Sequence, residues 1–199
     1  MDRTRSSNVP SGGAAWRRCG LAVAIAAVGC AAPAVVDERS RSYPPPIGTV
    51  IELHTDLTVP PNRARVTIQR GAVAPGVHPF ETWCQLEVND VFPTAQTVRA
   101  DTFTVYKVNR ETAQVVLASP PVMVAGVDTH DGGSSDVTQI WHLWLKSPQQ
   151  PNVRRLSCGG WFDTPSRALY PSVAEIRAAL GEVASLHLPT LPSDRSTNE

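Results

Sequence analysis

Between residues 48 and 161, apolar and polar side chains alternate along short stretches, the period-two signature of strands that bury one face. In Arg63–Gln69, Ala64, Val66 and Ile68 share one face and charged or polar residues the other. In Thr82–Val88, Cys84, Leu86 and Val88 point inward, and Gln85 and Glu87 outward. Thr49–His54, Thr102–Arg110, Gln114–Leu117, Val122–Val127, Val137–Lys146 and Val153–Trp161 complete about eight predicted strands. Turn formers punctuate them: Pro60-Pro61-Asn62, Gly71, Pro75-Gly76, Pro93, Pro120-Pro121 and Asp131-Gly132-Gly133. One helix is legible. Ser172 is its N-cap, Glu175 completes a capping box, Val173, Ile176, Ala179 and Leu180 share a face, and Gly181 ends it. The implied fold class is mainly β: an antiparallel β-sandwich or open barrel with one C-terminal α-helix covering an open end or an edge.

The N-terminal residues follow another pattern. Arg3, Arg5, Arg17 and Arg18 precede a short apolar run, Leu21–Val28, and then Gly29-Cys30. A run this short does not span a hydrocarbon core of about 30 Å, so it reads as a cleaved export signal. Arg17-Arg18 lacks the surroundings of twin-arginine export, which favours general secretion. Ala27-Val28-Gly29-Cys30 resembles the lipobox of bacterial lipoproteins. That resemblance implies a diacylglyceryl group on the Cys30 thiol, cleavage before Cys30 and acylation of its new amine. With Ala31 and not Asp after the cysteine, it also implies an outer-membrane address facing the periplasm. An ordinary secretory signal cut near Ala31–Ala32 and an uncleaved anchor are the alternative readings of these residues.

The expected organisation is a signal peptide at 1–29, a lipidated cysteine and Pro-rich tether at 30–46, a β-rich domain at 47–188 and a disordered tail at 189–199. Pro44-Pro45-Pro46 stiffens the tether, which at about 3.1–3.3 Å per residue would reach roughly 50 Å. Thr58–Gln69, Trp83–Glu87 and Asp101–Val105 resemble stretches of uncharacterised Gram-negative envelope lipoproteins, a resemblance that implies no activity and no site residues.

Composition sharpens this picture. The chain of 199 residues is 42% apolar, enough for one domain with a core, and its 18 basic and 18 acidic groups cancel. The leader carries four Arg and one Asp, so a mature chain from Cys30 keeps 14 basic and 17 acidic groups, a formal charge of −3. A nucleic-acid binder would carry a clustered basic surplus, so no nucleic-acid partner is expected. The expected partners are the lipid bilayer, through acylated Cys30, and an envelope protein.

Cys19 leaves with the leader and Cys30 takes the lipid, which leaves Cys84 and Cys158. In an oxidising compartment such a pair reads as a disulfide, and both residues alternate with inward-facing leucines. The competing reading, a catalytic thiol, needs a basic neighbour that the sequence does not supply.

Motifs for chemistry are sparse. His54, His78, His130, His142 and His187 have no metal-ligand spacing, and there is no nucleophile elbow or phosphate loop. No cofactor is expected. Asp128, Asp131 and Asp136 offer oxygens to calcium in a Gly-rich stretch, though without EF-hand spacing; a long solvated hairpin loop accounts for the same residues. Ile140–Leu145 is apolar on both faces. Trp141 and Trp144 therefore belong either to a central strand covered on both sides or to an aromatic partner-binding patch. His142 reads as packed rather than ligating. Arg63 and Arg65, exposed on one strand face, suit either an acidic lipid or polymer or plain solvent. The expected function is a membrane-anchored, non-enzymatic binding or structural β-domain; the alternative is an envelope hydrolase or small-ligand binder using a cleft.

Overall fold

The computed structural model of the protein describes residues 37–115 and 136–190. Ten strands and one helix occur among them: β1 (Val50–Leu53), β2 (Leu57–Val59), β3 (Arg65–Gln69), β4 (Ala72–Ala74), β5 (Trp83–Val88), β6 (Gln96–Val98), β7 (Asp101–Gln114), β8 (Val137–Lys146), β9 (Val153–Gly159), α1 (Val173–Leu180) and β10 (Ala184–His187). Eight strands form one antiparallel sheet in the order β10-β1-β7-β8-β9-β5-β3-β4, while β2 and β6 form a separate ribbon. The sheet curls into a half-barrel, the open-barrel form of the expected class.

The core lies on one sheet face. Val66 and Ile68 of β3, Cys84, Leu86 and Val88 of β5, Phe103 and Val105 of β7, Leu143 and Leu145 of β8 and Leu156 and Cys158 of β9 are all buried together. Leu57, Val59 and Val98 of the ribbon join the same cluster. The helix touches β10 at one sheet edge and β3 and β5 near the other, so it closes the open side of the half-barrel. Its four apolar residues, Val173, Ile176, Ala179 and Leu180, are all buried, and the Ser172/Glu175 capping box forms as read from the sequence. Gly181 ends the helix with φ +51°, and a Cβ there would fall 2.3 Å from the Cα of Gly71 in the β3–β4 hairpin.

Two expectations change. Residues 37–46 do not hang free as a tether. The backbone N–H of Ala174 donates to Glu38 O, Glu38 pairs with Arg177, Arg41 pairs with Glu175, and Tyr43 packs on the core. Four charges of complementary sign and one aromatic ring are enough to dock this stretch on the helix. The Glu87 side chain, expected to face solvent, is 7% exposed, because partners on β9 cover it. Cys30, the leader, the Val122–Val127 strand, Asp128, Asp131 and residues 191–199 lie outside the described residues. Among the described residues, no helix is long and apolar enough to cross a membrane.

Candidate functional site

Cys84 and Cys158 are directly opposed partners on β5 and β9, with Cα atoms 4.1 Å apart, and they form a disulfide. Both are fully buried in the core. The bond ties residues separated by 74 positions and staples the neighbouring strands β5 and β9.

The sheet face opposite the core carries a polar ladder. His142 and Ser157 are register partners on β8 and β9, and Nδ1 lies 2.8 Å from Ser157 Oγ. The Ser157 hydroxyl donates to Glu87 Oε1 at 2.7 Å, and Arg155 Nε donates to Glu87 Oε2 at 2.8 Å. On the other side, His142 Nε2 lies 2.5 Å from Glu111 Oε2 on β7. Side chains directly or diagonally opposed on one face of an antiparallel sheet come within contact, which is how four strands contribute to this chain. The serine hydrogen goes to one oxygen of Glu87 and Arg155 holds the other, and a carboxylate only accepts.

Serine, histidine and glutamate in hydrogen-bonded order invite comparison with a hydrolase triad. The geometry does not suit attack. Ser157 is 2% exposed, and its hydroxyl hydrogen is held by Glu87 rather than by the imidazole. His142 is 5% exposed and packed, as the sequence suggests, although on the face opposite the core. The ladder holds the sheet face together.

The two tryptophans of the expected patch separate. Trp141 is 1% exposed; its Nε1 donates to Pro171 O at 3.0 Å, and its ring lies 4.3 Å from that of Tyr170. A partner does not reach it in this arrangement. Trp144 faces the opposite way and is partly exposed. Lys107, Arg154 and Arg155 place their cations 5.0–5.4 Å from its ring centroid. Arg154 and Arg155 share this side because a register shift between β5 and β9 inserts an extra residue. Asp136, the described member of the calcium set, accepts at its backbone oxygen from Val115 N–H. Among the described residues, no group of three or more potential metal ligands comes together.

A cleft of about 840 Å³ opens beside β3. Its walls include Arg63 and Arg65, Thr58 of β2, Val73 and Ala74 of β4, and Gln85 of β5. Pro60-Pro61-Asn62-Arg63 shapes one end: Arg63 N–H donates to Pro60 O at 3.2 Å, and Asn62 takes φ +56°, the left-handed position this turn needs. Arg65 Nη1 donates to Gln85 Oε1 at 3.1 Å. Sequence reasoning singled out the two arginines from their alternation. It missed the cleft, because the opposing wall comes from β4 and Pro75-Gly76, whose strand is too short to show a period.

No protein-family model, curated protein or solved structure matches the chain.

Proposed function

We propose that this protein is an envelope lipoprotein, acylated at Cys30 in the outer membrane and facing the periplasm, whose β-domain works by binding rather than by catalysis. The buried Cys84–Cys158 disulfide is the observation that carries this reading, because such a bond persists in an oxidising compartment and is rare in a reducing one. It agrees with the export leader and with the lipobox resemblance of Ala27–Cys30. Two or more acyl chains, at about 0.8 kcal/mol per buried methylene, give stable anchoring. A binding domain held there gains local concentration without any catalytic step. The sequestered Ser157 hydroxyl gives the hydrolase alternative no support.

Replacing Cys30 tests the anchor. Cys30→Ser should move the protein from the detergent phase to the aqueous phase of fractionated envelopes and abolish incorporation of labelled palmitate. Unchanged partitioning would contradict the reading.

A further inference from the structure

We propose that the cleft beside β3 binds an extended peptide segment carrying acidic side chains at alternate positions, added as a strand to the open end of β3. The inference rests on the binding reading of the domain and is independent of the anchor.

The charge of the walls comes first. Arg63 and Arg65 both border the cleft, and none of the residues that line it is a carboxylate. Among the described residues, neither guanidinium is in an ion pair; Arg65 donates to the neutral amide of Gln85, and Glu87, its register partner on β5, is taken by Arg155 and Ser157. Two guanidiniums outside any ion pair, at a concave surface, are complementary to an anionic ligand.

Backbone pairing selects the ligand's shape. Val88 N–H donates to Ala64 O, so in the β3–β5 ladder Ala64, Val66 and Ile68 point their backbone groups at β5. Arg65 and Thr67 then point theirs to the other side. Thr67 meets Ala74 there, but β4 ends at Ala74. Continued past the end of β4, the register places Gly76 opposite Arg65, and no backbone hydrogen bond joins the two. The N–H and C=O of Arg65 are therefore left facing the cleft at a sheet edge, where an extended peptide pairs.

Spacing selects its side chains. Arg63 and Arg65 are two residues apart and both line the cleft, and on an added strand residues two apart share a face. Carboxylates at alternate positions would meet both guanidiniums, as opposite charges do across paired strands. The intervening residues would lie toward Val73, which is 54% exposed, and Pro75. A volume of about 840 Å³ suits a short segment, not a flat polymer surface.

Fluorescence anisotropy on the full chain purified in detergent tests this, with a short labelled peptide of alternating Val and Glu as the probe. The expected result is saturable binding that weakens with salt. Each of Arg63→Ala and Arg65→Ala should lower affinity about tenfold, with thermal melting unchanged because both side chains are exposed. A matched peptide of alternating Val and Lys should bind at least about tenfold more weakly. N-methylation of the amides facing β3 should weaken the Glu peptide by a similar factor. Absence of saturable binding, equal binding of the Lys peptide, or full affinity in the Arg63→Ala/Arg65→Ala variant would overturn the proposal. Full affinity of the N-methylated peptide, or equally good competition by inorganic phosphate, would overturn strand addition.

Discussion

Trp83 and Gly159 are register partners on β5 and β9, and the indole lies so close over the glycine that a Cβ there would fall 2.3 Å from Cζ2 of the ring. The glycine is required by space, since an aromatic ring on the neighbouring strand occupies the place of its missing side chain. Gly159→Ala should destabilise the fold by about 1–3 kcal/mol, as overpacking does. Adding Trp83→Leu to that variant should cost less than the two single changes summed, because the clash is shared. Urea unfolding of the four proteins measures both.

Loss of the Cys84–Cys158 crosslink should lower stability by about 2–4 kcal/mol, since it constrains a long loop in the unfolded chain. Reductant should therefore shift the denaturant midpoint of the native protein and leave that of a Cys84→Ala/Cys158→Ala variant unmoved. Thiol labelling at these positions should require both unfolding and reduction, because both residues are fully buried.

In the polar ladder the central member should matter more than the end. Ser157→Ala leaves a buried Glu87 oxygen and His142 Nδ1 without their shared partner, a loss of about 1–3 kcal/mol. Glu111 is half exposed, so water replaces its contact in Glu111→Gln, and the loss should stay below about 1 kcal/mol. Equal losses in chemical denaturation would contradict the ladder's order of importance.

Acid should loosen the helix and the segment docked on it. Burial pushes the Glu175 carboxyl up, but hydrogen bonds from Arg41 and Ser172 and the charge of Arg41 outweigh it and hold the group below its ordinary value of 4.5. The folded form thus favours the carboxylate, and this stability is present above the unfolded value and lost as pH falls through the folded one. Asp101 has the same sign: burial raises it, and Ser147, Gln150 and the Thr102 N–H together lower it further. Stability should fall as pH drops below about 4.5, with a shallower fall in Glu175→Gln. A parallel fall in both proteins would contradict the assignment.

The long strands and the helix were legible because each has enough residues to display its period. Val137–Lys146 matches its predicted bounds, and Thr82–Val88 begins one residue before β5. Thr102–Arg110 and Gln114 proved to be one continuous strand, β7, since Glu111–Ala113 continue the pairing with β8. β2, β4 and β6, at three residues each, and the four-residue β10 carry too few positions for an alternation to stand out. The disulfide was legible from cysteine number and inward phase. The ladder was not, because Glu87 and Ser157 are 70 residues apart and meet only through strand order. Equally, the alternation of Trp141 and Trp144 says that they face opposite ways, but not that Tyr170 and Pro171 cover the first.

The proposed anchoring and export of the chain are tested most directly by intact mass spectrometry of the protein from envelope membranes. Lipidation at Cys30 predicts a polypeptide beginning at that residue, carrying the added mass of diacylglyceryl and amide-linked acyl groups, with Cys84 and Cys158 oxidised. An intact leader, or a free thiol at Cys30, would contradict it.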